Sequence, residues 1–408
     1  MISGTEGTLR KEKERGMFKV DNYTPTRVVF GAGRLSDLAE VELPGKKALI
    51  CVTADGLMEK LGIQQRVIEL LKKNGCDSVV FDKITPNPTK KGVEEAAALA
   101  RQENCDFTLG LGGGSSVDTA KAAAVLLANP GDLWDYAYTG TGGRKPIKIA
   151  APVVTISTTA GTGTETDPYC VITNTDTNEK FDFAVDAIFP KLSIIDPELM
   201  LTLPHSLTLF QGFDALFHLS ECYITNNHEN RLVDVYSEDG VRAVARWLPI
   251  VSEDGSNLEA RVNMSYAANI LAGYTQSLIN CTSHHITGQT MGGLFPNVPH
   301  GATLILIADE YYKRVCRYFP DLFDELGEFM GVARDPQKPG YGFVTALENL
   351  LQKTGMDKLS MSSFGISLED CARIADMTVN NTGIDDMDRY PEALTVEDIQ
   401  GICERSYK

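Results

Sequence analysis

Short apolar runs alternate with helical segments along the first half of the chain. The apolar runs lie at 48–52, 78–81 and 107–110, and helical periodicity follows them at 57–74, 90–104 and 116–128. This alternation is typical of βαβ units on a parallel sheet. Further strands are predicted at 149–157 and 193–196, with a hairpin over 171–185 around turn-favouring residues at 174–178.

The second half has helical periodicity without intervening strands. Its helical segments lie at 207–224, 230–247, 258–278 and 302–318. A chain of 408 residues exceeds one ordinary core, at about 150 residues per domain. We therefore expect a flexible polar tail over 1–16, an α/β domain with a parallel sheet over 17–198, and an all-α domain over 199–408.

Net charge and cysteine content indicate which classes of partner and which cellular compartment to expect. The net charge of -17 argues against binding to nucleic acid or to an anionic membrane. No apolar run approaches the roughly 18 residues that span a bilayer, and the N-terminus has no hydrophobic signal region. The nine cysteines are scattered without CxxC spacing, so neither a disulfide framework nor a zinc-thiolate site is indicated. A cytoplasmic location is expected.

A glycine run follows the apolar segment 107–110 and opens the next helix. Gly112, Gly113 and Gly114 would let backbone amides approach an anion at a helix N-terminus, which favours a pyrophosphate ligand. A tight turn with Ser115 or Ser116 as the helix N-cap explains part of the run without a ligand. The spacing departs from the Rossmann fingerprint, because the third glycine is missing and the first strand-to-helix turn carries no glycine cluster.

Two further segments follow predicted strands. Asp55 comes after the first predicted strand, where a carboxylate can bind an adenosine ribose. The same residue can equally cap the helix at 57–74. The loop 158–165 is rich in hydroxyl groups, which suit either a cofactor or the loop's own backbone.

Several potential metal ligands lie in the helical half. Asp214 and His218 are four residues apart in a predicted helix, so their side chains leave one face about one turn apart. The pair His284 and His285 follows later, and His300 lies between a proline and a glycine. One carboxylate with two or three imidazoles suits Fe(II) or Zn(II) better than Ca(II) or Mg(II). Without a cysteine ligand, such a site leaves room for a substrate oxygen.

These motifs together resemble the iron-containing (group III) alcohol dehydrogenase family, within the dehydroquinate synthase-like superfamily. The resemblance covers roughly residues 25–405 and rests on the Asp214 to Glu221 segment, the glycine run and the loop 158–163. It implies an N-terminal dinucleotide-binding domain, a C-terminal helical domain, and a metal in the cleft between them. Carried over position by position, the implied metal ligands are Asp214, His218, His285 and His300. The implied cofactor contacts are Asp55, Asn87, Gly113, Gly114, Ser115, Asp118, Thr158, Thr159 and Lys180.

Two residues depart from the family pattern. Four residues after its third ligand the family commonly has a second histidine, whereas this chain has Gln289, which carries no proton at neutral pH. A proton relay would then have to use His284, ribose hydroxyls or water. Gln211 replaces a small residue three positions before the first ligand. Both changes are expected to alter the polarity of the substrate pocket.

The resemblance implies reversible hydride transfer between NAD(H) and a small alcohol with its aldehyde or ketone. Asp55 favours NAD over NADP, and the metal is expected to be Fe(II), with Zn(II) as the alternative. A metal- and NAD-dependent cyclase or lyase of the dehydroquinate synthase type remains open, as does a non-catalytic nucleotide- or metal-binding protein. Because exposed sheet edges in such folds often pair, a homo-oligomer, dimer or larger, is expected.

Overall fold

The structure, a computed structural model, describes residues 20–384 and 388–408, so the predicted tail over 1–16 lies outside the described residues. Its centre is a parallel sheet of six strands in the order β1-β8-β5-β4-β2-β3. The strands are β1 (Arg27–Phe30), β2 (Lys47–Thr53), β3 (Asp77–Ile84), β4 (Phe107–Gly112), β5 (Val153–Ser157) and β8 (Leu192–Ile195). The predicted parallel sheet is confirmed.

The sheet is covered on both faces, as parallel sheets require. Along β2, Ala48 and Ile50 belong to one hydrophobic cluster, whereas Leu49 and Cys51 belong to another. This alternation shows that successive side chains enter cores on opposite sides of the sheet. The covering helices are α1 (Leu57–Lys60), α2 (Ile63–Lys73), α3 (Lys90–Gln102) and α4 (Gly114–Ala128).

An antiparallel hairpin extends from the α/β region towards the helices. Strands β6 (Tyr169–Asn174) and β7 (Glu179–Ala184) form it, close to the predicted 171–185. Its register pairs Thr173 with Lys180. The short strand β1 was not predicted; among the described residues it lies at the sheet edge and pairs with β8.

The remainder of the chain is helical, as predicted. Its first helix, α5 (His205–Asn226), is buried at every position from Thr208 to Asn226 except Gln211. A helix buried all round lies in the middle of a core. The others are α6 (Arg231–Glu253), α7 (Leu258–Ser265), α8 (Gly273–Leu278), α9 (Ser283–Leu294), α10 (His300–Val315), α11 (Pro320–Phe329), α12 (Gly342–Thr354), α13 (Asp370–Asp376) and α14 (Val396–Ser406). No helix among the described residues is long and apolar enough to cross a membrane.

The single helix predicted over 258–278 is interrupted by a π-helical segment, Tyr266–Ala272. The side chain of Thr166 donates to the Asn269 carbonyl at 2.9 Å, and the Asn269 amide donates to the Thr159 carbonyl at 2.9 Å. Side chains that compete for the helical hydrogen bonds produce such local widening. The interruption therefore joins this helix to the loop after β5.

Candidate metal centre and dinucleotide cleft

Helix α5 carries the first two predicted ligands. Asp214 and His218 are 2% and 5% exposed, and Asp214 Oδ1 lies 3.6 Å from His218 Nδ1. Their spacing of one turn on a buried helix directs both side chains to the same face. The i, i+4 prediction for this pair agrees with the observed geometry.

Helices α9 and α10 bring two further histidines to the same carboxylate. His285 Nε2 lies 3.3 Å and His300 Nε2 3.7 Å from Asp214 Oδ1. The rings of His218 and His285 stack with centroids 4.2 Å apart. Ligand atoms of Asp214, His285 and His300 all lie within 4.8 Å of one another. Asp214, His285 and His300 thus form one group of ligand atoms, and His218 adjoins it through Asp214 and the stacked His285 ring.

The charge states of these groups suit a divalent cation. Burial alone would raise the pKa of Asp214, but the surrounding imidazoles hold it well below its usual range. Burial lowers the pKa of His218 to about 4 and that of His300 to about 3, so both rings are neutral at pH 7. Within the described parts of the chain, His218 Nδ1 and His300 Nδ1 are buried without a hydrogen-bond partner. An anionic carboxylate beside the two neutral imidazoles of His218 and His300, each with an unused nitrogen, is a donor set that fits a metal ion.

Glu221, one turn further along α5, fixes the orientation of His285. Its carboxylate accepts from His285 Nδ1 at 2.8 Å and from the backbone N–H of Thr282 at 2.9 Å. Burial would raise the pKa of Glu221, but the neighbouring His285 and His284 hold it well below its usual range. Burial also lowers the pKa of His285, yet Glu221 and Asp214 on its two nitrogens raise it to about 10. A carboxylate on the far nitrogen of a histidine is the usual support for a metal ligand.

Packing or backbone conformation requires glycine at each of Gly110, Gly112, Gly113 and Gly114. A Cβ on Gly110 would lie 2.6 Å from Val117 Cα, and Gly112 has φ +138°. A Cβ on Gly113 or Gly114 would lie 2.9 Å from a threonine methyl group of the loop after β5. The run therefore lets α4 pack against β4 and that loop, and glycine count alone does not indicate an anion.

The start of α4 still has unused polar groups. Gly113 is the N-cap, rather than Ser115 or Ser116, and it provides no side-chain cap. In the part of the chain that the structure describes, Ser116 Oγ is buried without a partner. The free N–H groups of an uncapped helix start together with this hydroxyl are compatible with a phosphate group.

The cleft lined by His218, His285 and His300 also reaches the start of α4, whereas Asp214 lies behind its lining. Lys180 Nζ donates to Asn87 Oδ1 at 2.8 Å across it, and burial lowers the pKa of Lys180 to about 8. Asp118 accepts from the Val171 N–H at 3.1 Å, and burial raises its pKa to about 6. Nine of its lining residues were predicted as site residues: Asn87, Gly114, Ser115, Asp118, Lys180, His218, His285, Gln289 and His300.

The remaining predicted cofactor contacts lie outside the lining of this cleft. Gly113, Thr158 and Thr159 follow the ends of the neighbouring strands β4 and β5, and Asp55 follows β2. Asp55 Oδ1 accepts from the Leu57 N–H at 2.9 Å, but the N-cap of α1 is Gly56 rather than Asp55 as the capping alternative predicted. Carboxyl ends of adjacent parallel strands are where such sheets bind ligands.

Two family models together match most of the chain. The model described as iron-containing alcohol dehydrogenase matches residues 25–197. The model for the C-terminal part of the Fe-containing alcohol dehydrogenase family matches residues 208–407. The chain belongs to the iron-containing alcohol dehydrogenase family. The predicted resemblance is confirmed.

Relatives and solved structures from this family extend over most of the chain. The chain is 36% identical to a 1,3-propanediol dehydrogenase of Citrobacter freundii, over 77% of this chain and 80% of that protein. It is 33% identical to an NAD-dependent methanol dehydrogenase of Bacillus methanolicus, over 70% and 76%. The crystal structure of an NADH-dependent butanol dehydrogenase A from Thermotoga maritima has a TM-score of 0.86 and 29% identity, covering 96% of this chain and 99% of that one. The protein is therefore an oxidoreductase of the alcohol dehydrogenase type.

His284 does not occupy the position expected of a proton relay in this dehydrogenase. Its side chain is fully buried and does not line the cleft. Nδ1 lies 2.7 Å from Glu221 Oε1 and Nε2 lies 3.0 Å from the Leu304 carbonyl. Because both nitrogens are engaged away from the cleft, the relay prediction is wrong on geometry, and His284 helps to position Glu221.

The two glutamines differ in position. Gln289 lines the cleft, as expected for a substrate-pocket residue. Gln211 does not line the cleft. Its Oε1 accepts from the Ala160 N–H at 3.2 Å, and a Cβ on Gly161 would lie 2.8 Å from the Gln211 Cβ. The prediction that Gln211 alters the pocket is corrected, because its side chain holds the loop after β5.

Three side chains that line the cleft were not predicted from the sequence. Tyr169, Asp182 and Cys281 all line it, and none was a candidate. A cysteine three and four residues before a histidine pair was the available signal for Cys281. The other two lie on the hairpin, whose contact with the helices depends on the fold.

Proposed function

We propose that the chain is an NAD(H)-dependent, metal-dependent alcohol dehydrogenase or aldehyde reductase that acts on a small alcohol and its aldehyde or ketone. The observation that carries the proposal is the single cleft that joins the Asp214 cluster to the start of α4. The dehydrogenase activities named for the relatives support this reaction type over a cyclase or lyase. They equally favour an enzyme over a non-catalytic binding protein.

The proposed metal ligands are Asp214, His218, His285 and His300, for Fe(II) or Zn(II). The ion would polarise the substrate oxygen, and NAD(H) would supply or accept the hydride. Glu221 keeps His285 in the tautomer and orientation that point Nε2 at the site. Because such groups are already oriented before the reaction, little free energy is spent on reorganising them during it.

The proposed cofactor contacts are the nine residues predicted from the sequence. Lys180 and Asn87 hold each other at the cleft wall, and Asp118 fixes the start of the hairpin. Apolar Ile279 and Ile286 line the same cleft. Gln289 can donate to or accept from a substrate hydroxyl but cannot accept a proton, so the proton would pass through ribose hydroxyls or water.

A panel of short alcohols and aldehydes, assayed with NAD(H) and NADP(H) after anaerobic purification, tests this function. Aldehyde-dependent consumption of NADH is expected, with weaker use of NADPH. A cyclase would regenerate its cofactor and give no net NADH change. No turnover across the panel by protein with bound metal would favour the binding-protein alternative.

The proposal also includes the domain boundary, the cellular location and the oligomeric state. The boundary near residue 198 separates two domains, with the cleft between them. The enzyme is placed in the cytoplasm, where free thiols persist, and all nine cysteines are free. A homo-oligomer is proposed because β1 and β3 are the outermost strands of the sheet among the described residues, and such edges can pair with another chain.

A further inference from the structure

A second group of potential ligands overlaps the Asp214 cluster. Ligand atoms of His218, Cys281 and His285 all lie within 4.8 Å of one another. His285 belongs to both groups. Cys281 and both histidines line the cleft, so the sulfur and imidazoles meet at its wall.

The Cys281 thiol is held in place by its neighbours in the chain. Thr225 Oγ1 donates to the Asn280 carbonyl at 2.7 Å, and Glu221 accepts from the Thr282 N–H at 2.9 Å. The one hydrogen-bond contact of Cys281 Sγ among the described residues is with the sulfur of Cys222, at 4.0 Å. Such a thiol contact is weak. The sulfur is therefore positioned without being committed to a strong hydrogen bond.

His218, a proposed ligand of the Asp214 cluster, is also a donor of this second group. Only 5% of the residue is exposed. Its Nδ1 has no hydrogen-bond partner within residues 20–384 and 388–408. Buried ring nitrogens without a partner call for a water or an ion. A thiol and an imidazole pair on the same cleft wall form a softer donor set than a carboxylate with imidazoles.

We propose that Cys281 is a metal ligand for thiophilic divalent ions, which bind through its sulfur together with His218 and His285. The inference rests on the proposed metal site and adds a coordination mode that the family-derived ligand set does not include. On binding, the thiol transfers its proton to solvent and the thiolate coordinates the ion. A sulfur ligand on the cleft side takes space that a substrate oxygen needs, so a soft ion bound this way inhibits turnover.

Cadmium is a suitable probe, because thiolate coordination gives it an ultraviolet charge-transfer absorption that carboxylate and imidazole do not. Chelator-treated wild type is titrated with Cd²⁺ while equilibrium dialysis measures the bound metal. Cys281→Ser and Cys281→Ala are compared with Cys222→Ser, a matched change of the neighbouring thiol outside the cleft lining. Circular dichroism establishes that each variant is folded.

Wild type and the Cys222 variant are expected to show the absorption, saturating with equimolar Cd²⁺. Both Cys281 variants are expected to lack it and to bind Cd²⁺ about tenfold more weakly or worse. Bound Cd²⁺ without the absorption in wild type, or an unchanged absorption in Cys281→Ser, overturns the thiol assignment alone. Absence of any bound Cd²⁺ overturns this inference and the metal site of the proposed function together.

Discussion

Replacement of Glu221 by Gln isolates the support for the metal ligand His285. The fully buried carboxylate accepts hydrogen bonds from His285 Nδ1 at 2.8 Å, His284 Nδ1 at 2.7 Å and the Tyr312 hydroxyl at 3.3 Å. It also accepts from the backbone N–H and the hydroxyl of Thr282, at 2.9 and 2.8 Å. A glutamine keeps the shape but removes the charge, and turns an NH₂ group towards at least one of these donors. One or more of the five hydrogen bonds is therefore lost.

The expected magnitude follows from that geometry. Loss of the outer partner of a ligand histidine lowers metal affinity by about 10–100-fold, equivalent to about 1.4–2.7 kcal/mol. Removing one member of a buried charged network destabilises a protein by about 3–5 kcal/mol. Glu221→Gln should therefore weaken metal binding by that factor and lower the free energy of unfolding by about 3 kcal/mol.

Competition with a chelator of known affinity measures the first quantity, and urea denaturation of the metal-depleted protein measures the second. Glu238→Gln is the matched control, because its side chain is 46% exposed and pairs with Arg242 on the helix surface. The control should change neither quantity by more than about 0.5 kcal/mol. Wild-type metal affinity in Glu221→Gln would refute the argument that Glu221 orients His285.

Three further predictions concern other parts of the chain. Gln289→His should introduce an ionisation near neutral pH into the pH profile of kcat/KM; superimposable profiles would show that this position does not face the substrate. His228 forms hydrogen bonds with two carboxylates, which raise its pKa from 6.5 to about 9, so its stabilisation is complete below about pH 6.5 and is lost as pH rises through 9. His228→Asn should therefore cost about 1 kcal/mol at pH 6, after allowance for solvent screening, and almost nothing above pH 10, as measured by urea unfolding; a pH-independent cost would contradict this. Lys121→Met strands the buried Asp167 carboxylate, 3.1 Å from Lys121 Nζ, and should cost about 3–5 kcal/mol in the same assay, whereas Lys145→Met at an exposed pair should cost less than about 1 kcal/mol; equal costs would contradict the burial argument.

The layered fold and half of the metal cluster could be predicted because their signals are local. Asp214 and His218 are four residues apart, and helical geometry alone places them on one face. Strand β1 gave no such signal, since it has four residues and its partner β8 lies far along the chain, with Arg27 paired to Leu192. Its pairing depends on the completed sheet.

Orientation within the site could not be predicted from residue type. Adjacent helical residues point about 100° apart, so His285 faces the cleft while His284 faces Leu304. Which of the two faces inward depends on how α9 packs. Gln211 illustrates the same limit, because its contact with Ala160 depends on a loop about 50 residues earlier.

Composition alone could not determine the role of the glycine run or of Cys281. Each glycine of the run is required by contacts or backbone conformation within the protein itself, so the number of glycines does not by itself indicate a phosphate site. Cys281 lacked CxxC spacing, yet the fold brings it to His218 and His285. Spacing rules describe sites built from one segment, whereas this group is assembled from two.

The most direct test of the central claim compares metal content and NADH oxidation in wild type and Asp214→Ala, purified anaerobically and assayed with the best aldehyde of the panel. Asp309→Ala, which alters a helix aspartate that is 39% exposed, is the control. The variant at Asp214 is expected to lose both bound metal and aldehyde-dependent NADH oxidation, while the control keeps both. Robust aldehyde-dependent NADH oxidation by Asp214→Ala without bound metal would contradict the account.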